Sequence, residues 1–488
     1  MLFLQKQKIE VFINFGKIMI QVNSLIGGEI VSGKQFQKNI GPVDRAVVSQ
    51  VNFLSEKELV DVFTQARGIK GNRVKKDYSE LFKLAKFLRQ NRLKFVDQII
   101  RDAGFTQKDA EDLVDCSVEL CKHYHLHLKQ LSTDDVITSF SFKKGSDQKI
   151  RLTSSPYGLI SATTPRNTPL ITELTVIVHA LWSGNVLVLR PSPGVAGTVS
   201  LLIKGLLKSF RPETLARLYI VFSDAKDFVN TSLDYSNLLH YVGSTKYLEN
   251  TLIAGIKKGV KVLVDGDGCS LVLIDSTSNI EEAAKTCYQG LVRCNGQICI
   301  SVRVIVIEQK VYNKFLSHFL SLVKKTDVRP PGLNKQSDMG PLFTASQAEN
   351  IIRVAKKHQS LHGQLTPLEY GPNYITPVVV ELEPTDRNFL RESLFGPVVG
   401  ISSFKGDGWK WWLEENTINL TDAVFSKDEE FIKEFLTTSK SPRKVVNSDP
   451  TLESVFEPWG AFLPSGCNDV SYWYYKYRSY YQLVRESK

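Results

Sequence analysis

Between residues 157 and 266 short apolar runs alternate with helix-length stretches, and this rhythm constrains the fold more than any other feature of the chain. The runs are YGLISATTP (157–165), NVLVLRP (185–191), ARLYIVFS (216–223), NLLHYVG (237–243) and VKVLVDG (260–266). Such Val-, Leu- and Ile-rich runs suit strands covered on both faces, and the separators are long enough for crossover helices that let the strands lie parallel. A second block follows with SLVLID (270–275), RVIVIE (303–308), ITPVVVELE (375–383), VVGISSF (398–404) and RKVVNS (443–448). The fold class is therefore α/β, with two sheet domains joined near residue 263. A chain of 488 residues is long enough to bury a separate core in each.

Residues 54–131 show apolar positions at three- and four-residue spacing, which predicts a helical layer. Within it, Lys70–Lys94 reads as one amphipathic helix, with Leu81, Leu84, Leu88 and Phe95 inward and Lys83, Lys86, Arg89 and Lys94 outward. Residues 136–152 alternate on both sides of a Lys-Gly-Ser-Asp turn and predict a hairpin. The aromatic segment SYWYYKYRSYYQLVR (471–485) is β-prone and is expected to pair with that hairpin or with another subunit.

A net charge of +10 invites a polyanionic partner, but the basic residues are spread along the chain, which argues against nucleic acid. Seven cysteines, an odd number without a CxxC pair, point to reduced thiols and a cytoplasmic setting. Lys6, Lys8, Glu10 and Lys17 interrupt the apolar start, and Glu173, His179, Gly184 and Asn185 break the run at 171–189, so no membrane span is expected. A second start at Met19 would leave residues 1–18 without a functional reading. In His123-Tyr124-His125-Leu126-His127 a helix would spread the imidazoles around its axis, so no metal site is expected.

The chemistry points to Asn295-Gly296-Gln297-Ile298-Cys299, between a predicted helix (279–293) and the strand at 303. A thiolate is the most nucleophilic common side chain, and at such a junction the cysteine backbone N–H can remain free; a buried structural thiol is the alternative. Asn167 follows a strand and offers a neutral amide donor to an oxyanion. Gly243-Ser244-Thr245 ends a strand and opens a helix, so its N–H groups can face a pyrophosphate.

These stretches resemble, in order, elements of the aldehyde dehydrogenase superfamily. Pro165-Arg166-Asn167-Thr168-Pro169-Leu170 resembles its Pro-Trp-Asn-Phe-Pro-Leu, Leu189-Arg190-Pro191-Ser192 its Leu-Lys-Pro-Ser, and Tyr241-Val242-Gly243-Ser244-Thr245 its Phe-Thr-Gly-Ser-Thr. The window around Cys299, Asp338-Met339-Gly340-Pro341-Leu342, Glu392-Ser393-Leu394-Phe395-Gly396-Pro397, Pro458-Trp459-Gly460-Ala461 and Ser465-Gly466 complete the series. The resemblance implies a Rossmann-like cofactor domain (19–134 and 153–262), an α/β catalytic domain (263–450), and bridging strands (135–152 and 470–488) that form a small oligomerisation element in a homodimer or homotetramer. It implies oxidation of an aldehyde to a carboxylate with NADP or NAD, through a thioester on Cys299 with Asn167 as oxyanion donor. Thr164, Pro165, Arg190, Ser192, Gly243, Ser244, Gly266 and Phe395 are expected around the cofactor.

The sequence also departs from that pattern. Asp265 stands at the spacing of the glutamate that activates water in hydrolytic members, and is the expected general base, one methylene shorter. Gly266-Asp267-Gly268 resembles equally the Gly-x-Gly of the CoA-acylating branch, which implies an acyl-thioester substrate reduced to an aldehyde. A catalytically silent member is the third reading. Arg190 replaces a lysine and suits a 2′-phosphate, and Pro193 stands where NAD-preferring members often carry glutamate, which points to NADP with NAD as the alternative. Ser393 replaces a glutamate that orients the nicotinamide ribose, and Arg303 comes one residue early.

Overall fold

The computed structural model describes residues 19–69, 77–131, 136–141, 147–392 and 394–487. Its centre is a nine-stranded sheet ordered Trp459–Ala461, Gly466–Ser471, Lys261–Asp265, Leu238–Val242, Leu159–Thr164, Val186–Pro191, Leu218–Ile220, Ser24–Ile26 and Glu29–Val31. The five strands from Lys261–Asp265 to Leu218–Ile220 run parallel, and their neighbours on either side are antiparallel. Every residue of Leu159–Thr164 is buried, as a strand packed by helices on both faces requires.

The second sheet is ordered Gln359–His362, Val378–Glu381, Val398–Phe404, Val302–Glu308, Ser270–Ile274, Thr421–Phe425 and Arg443–Val446, parallel except for the first strand. Val302–Ile307 are six consecutive buried residues at its middle, each Val or Ile worth about 1.5–3 kcal/mol of burial. Arg478–Ser487 pairs antiparallel with Asp147–Pro156, which pairs with Val136–Ser141, so the aromatic tail joins the hairpin of its own chain.

The stretch expected as one helix up to Lys94 is two, Ser79–Gln90 and Arg92–Ala103. Asn91 breaks it: its side-chain Nδ2 donates to Phe87 O at 2.9 Å, a local bond that competes with helix continuation. Leu81, Leu84, Leu88 and Phe95 are buried and Lys83, Lys86, Arg89 and Lys94 exposed as expected, while Lys70 lies outside the described residues. Strands before residue 136 are unexpected. Gly27 and Gly28, at φ 57° and 96°, form the tight turn between Ser24–Ile26 and Glu29–Val31, and that Gly-Gly pair between apolar runs was the available signal.

Candidate active site

Three of the parallel strands of the first sheet, Leu159–Thr164, Leu238–Val242 and Lys261–Asp265, end on a cavity of about 1020 Å³, the usual ligand position in such a sheet. Of the residues singled out in the sequence, Pro165, Asn167, Gly243, Ser244, Asp265, Gly266, Cys299 and Phe395 all line it.

Cys299 is carried by a loop with little freedom. Cys294, Asn295 and Gly296 take three successive left-handed conformations (φ 49°, 58° and 66°), an arrangement that must be held from outside. Asn295 supplies the hold: its Nδ2 donates to Gly104 O and Pro341 O at 2.9 Å each, and its Oδ1 accepts from Gly340 N at 2.8 Å. Gln297 Oε1 accepts from Phe343 N at 2.9 Å, and Arg303 Nη2 donates to Gly296 O at 2.6 Å. The early arginine thus closes the loop on itself, with Nε and Nη1 buried and unpartnered among the described residues. The Cys299 thiol is half-buried and pushed up to about 12, by burial first and then by the negative charges of Glu453, Asp265 and Asp267. Cys294, which lines the same cavity, is buried where Cys299 is half-buried, and burial raises its thiol well above the ordinary value.

Asn167 sits in the turn between Leu159–Thr164 and the helix Ile171–Trp182. Leu170, at φ 72°, makes the turn possible because buried Glu173 Oε2 accepts its N–H at 2.8 Å. Glu173 Oε1 takes the Thr164 hydroxyl at 2.7 Å, and burial pushes the Glu173 carboxyl up to about 7. Thr164 therefore braces the turn, with its hydroxyl turned away from the cavity. Arg166, where the family pattern has tryptophan, lies over the Phe343 ring at 5.0 Å and donates through Nε to Asp102 O at 2.9 Å. Asn167 itself makes no side-chain hydrogen bond among the described residues; its Oδ1 is buried, which leaves Nδ2 as the group facing the cavity.

Asp265 has a different environment from the one its sequence position suggests. Its carboxylate accepts from Trp459 Nε1 at 3.1 Å and from Asn468 Nδ2 at 2.9 and 3.0 Å, and lies 2.6 Å from His240 Nε2. Burial alone would push this carboxyl up, but the hydrogen bond and charge interaction with His240, Lys476 and the Asn468 amide hold it below the ordinary carboxylate value. A carboxylate so saturated is a poor proton acceptor and a good anchor. Trp459 lies in an element the sequence singled out, but its bond to Asp265 and the roles of His240, Asn468 and Tyr477 were not legible there, since these partners lie far apart along the chain. Tyr477 Oη completes the chain at 2.8 Å from His240 Nδ1.

Glu453 is a second unforeseen group. It lines the same cavity, is exposed to solvent there, and has no hydrogen-bond or ion-pair partner among the described residues; the protein around it pushes its carboxyl up, with Glu457 adding and Arg443 opposing.

The other expected cofactor residues lie apart from the cavity wall. Arg190 donates from Nε to Ser223 O at 3.1 Å, and its other guanidinium nitrogens have no hydrogen bond among the described residues, so the donors a ribose or phosphate would need remain. Ser192 Oγ accepts from Gly194 N at 3.3 Å and caps a turn. Ser393 lies outside the described residues. His123 pairs with Glu119 at 2.7 Å, His125 meets the Phe82 ring and His127 the Phe456 ring.

The sequence model of the Aldehyde dehydrogenase family matches residues 30–484. The chain is 26% identical over 365 residues to a D-glyceraldehyde dehydrogenase (NADP(+)) of Picrophilus torridus, covering 72% of each chain. It is 26% identical over 441 residues to a lactaldehyde dehydrogenase of Methanocaldococcus jannaschii, covering 88% of this chain and 92% of that one. Its fold matches that of an NAD-dependent aldehyde dehydrogenase from Sinorhizobium meliloti with a TM-score of 0.87 at 17% identity, over 96% of this chain and 95% of the other.

Proposed function

Because this chain belongs to the aldehyde dehydrogenase family, its activity is NAD(P)-dependent oxidation of an aldehyde, and we propose that the reaction runs through Cys299, with Asn167 as oxyanion donor and Glu453 as proton acceptor. The observation that carries this assignment is that all three groups line one cavity with the Gly243-Ser244 turn. The Cys299 sulfur attacks the aldehyde carbon as its proton passes to Glu453. Asn167 Nδ2 and the Cys299 backbone N–H stabilise the oxyanion, each such donor being worth about 3 kcal/mol of barrier. Bound NAD(P)⁺ supplies the hydride acceptor, and loss of hydride from that carbon leaves a thioester on Cys299. Glu453 releases that proton to solvent, then takes one from the attacking water and returns it to the departing Cys299 sulfur, while the acid formed loses its own proton and leaves as the carboxylate. Asp265, expected as the base, instead fixes the cavity floor.

Arg190 would hold the adenine-side ribose, and its fork favours a 2′-phosphate, so we assign NADP as the preferred cofactor. The protein is proposed to be a cytoplasmic homo-oligomer. The described cysteines are all free thiols, and Val136–Ser141 is an outer strand of its sheet, an edge a second copy can extend. Light scattering on the purified protein would count the copies.

The deciding experiment follows reduced-cofactor absorbance with an aldehyde panel including lactaldehyde and glyceraldehyde plus NADP⁺ or NAD⁺, and separately with acyl-CoA plus NAD(P)H. Aldehyde oxidation lost in Cys299→Ala is expected. Signal only with acyl-CoA would make the protein a thioester reductase, silence in both a non-catalytic member, and full activity of the variant would remove Cys299 from the mechanism.

A further inference from the structure

The turn expected to receive the cofactor's phosphates already holds an anion of the protein's own. Strand Leu238–Val242 delivers Gly243, Ser244 N-caps the short helical turn Thr245–Tyr247, and the helix Leu248–Lys258 continues from it. Asp267 Oδ2 accepts from Ser244 Oγ at 3.2 Å, Thr245 N at 3.1 Å and Thr245 Oγ1 at 2.9 Å. One carboxylate oxygen thus collects two hydroxyls and a backbone N–H from the turn.

The placement of Asp267 is fixed by its neighbours. A Cβ on Gly266 would lie 2.4 Å from Ser465 O, and one on Gly268 2.4 Å from Cys299 O, so the backbone on both sides is packed against other chain. Release of the turn therefore has to come from rotation of the Asp267 side chain. Asp267, Gly243 and Ser244 all face the cavity. A pyrophosphate arriving there meets a negative charge already seated on its donors, and like charges at such range repel strongly away from bulk water.

We infer that Asp267 is an internal competitor of the cofactor's pyrophosphate, which must give up the Gly243–Thr245 turn before NAD(P) is held there, and that it thereby sets the affinity of the protein for its dinucleotide. This rests on the reading, made above, that the turn receives the phosphates. It identifies an affinity-determining residue where the family-like motif alone would suggest a ready-made phosphate site.

The test is equilibrium binding, without turnover, of NAD⁺, NADP⁺ and nicotinamide riboside, the last of which carries no phosphate. Measurements are made by calorimetry at fixed ionic strength on wild type, Asp267→Asn and Asp267→Ser, each confirmed folded by circular dichroism. Both variants are expected to bind both dinucleotides at least tenfold more tightly, with nicotinamide riboside changed less than twofold. Dinucleotide affinity that stays within twofold, or falls, overturns the competitor role. Ser244→Ala in the Asp267→Asn background separates the two layers of the argument. If it weakens dinucleotide binding while Asp267→Asn alone matches wild type, the turn receives the phosphates and only the competition is refuted; if it has no effect, the phosphate reading of the turn fails as well.

Discussion

The fully buried imidazole of His240 lies 2.6 Å from Asp265, which joins the middle of one strand to the end of its neighbour at the cavity that Cys299 also lines. Tyr477 on the other side of the ring and Trp459 and Asn468 on the carboxylate extend the contact into the C-terminal segment. The arrangement gives Asp265 a load to carry that is independent of proton transfer.

Asp265→Asn is therefore expected to destabilise the protein by about 2–3 kcal/mol, since an amide cannot accept from all these donors. The single-turnover burst of cofactor reduction should stay within twofold of wild type. Because the folded-state carboxyl is held below its ordinary value, the stabilisation is present above the unfolded-state pKa and is lost as pH falls through the folded one. The stability gap between wild type and variant, read by urea unfolding, should hold constant from about pH 5 to 7 and narrow below about pH 4. An unaltered midpoint combined with a stalled hydrolytic step would return the base role to Asp265.

Glu453→Gln should lower steady-state turnover by about 100-fold and abolish a limb of the pH profile. In wild type, kcat should climb as the carboxyl, pushed up to about 7, loses its proton. A variant that keeps the same limb would place the titrating group elsewhere.

Cys299 should react as a thiol at neutral pH. With its pKa pushed up to about 12, alkylation by iodoacetamide at this position should accelerate about tenfold per pH unit from 7 to 10 without levelling off. Mass spectrometry of the peptide distinguishes it from the half-buried Cys116 and Cys467. Glu453→Gln should raise the rate at a given pH by removing one of the charges that oppose the thiolate. A plateau below pH 8 would show that the resting protein already holds a thiolate.

Asn167→Ala should cost about 100- to 1,000-fold in kcat while the melting temperature barely changes, because the side-chain amide makes no hydrogen bond among the described residues whose loss would unfold the turn. Comparable losses in stability and rate would recast Asn167 as a structural residue.

Gly296→Ala should destabilise by more than about 2 kcal/mol and slow acylation of Cys299. The added Cβ would fall 2.6 Å from Gly396 C at a φ of 66°, so the loop must shift to admit it. Calorimetric unfolding and burst kinetics would report the two effects, and a variant normal in both would show the loop to be more plastic than its hydrogen bonds imply.

The amino-acid sequence by itself determined the parallel sheets and the position of the thiol, because both follow from local order. A strand buried on both faces must read as a continuous apolar run, as Leu159–Thr164 does, and Asn295-Gly296-Gln297 next to Cys299 lie within a single loop. The short strands around Gly27-Gly28 and the break at Asn91 were weaker signals of the same local kind. Only the tertiary structure decided what the carboxylates do. Asp265, at the end of its strand, and Asp267, in the turn that follows, are two residues apart; one is anchored by His240, Trp459 and Asn468, the other accepts from the turn at Ser244 and Thr245. A carboxylate's role depends on which donors surround it, and here those donors come from segments brought together by packing.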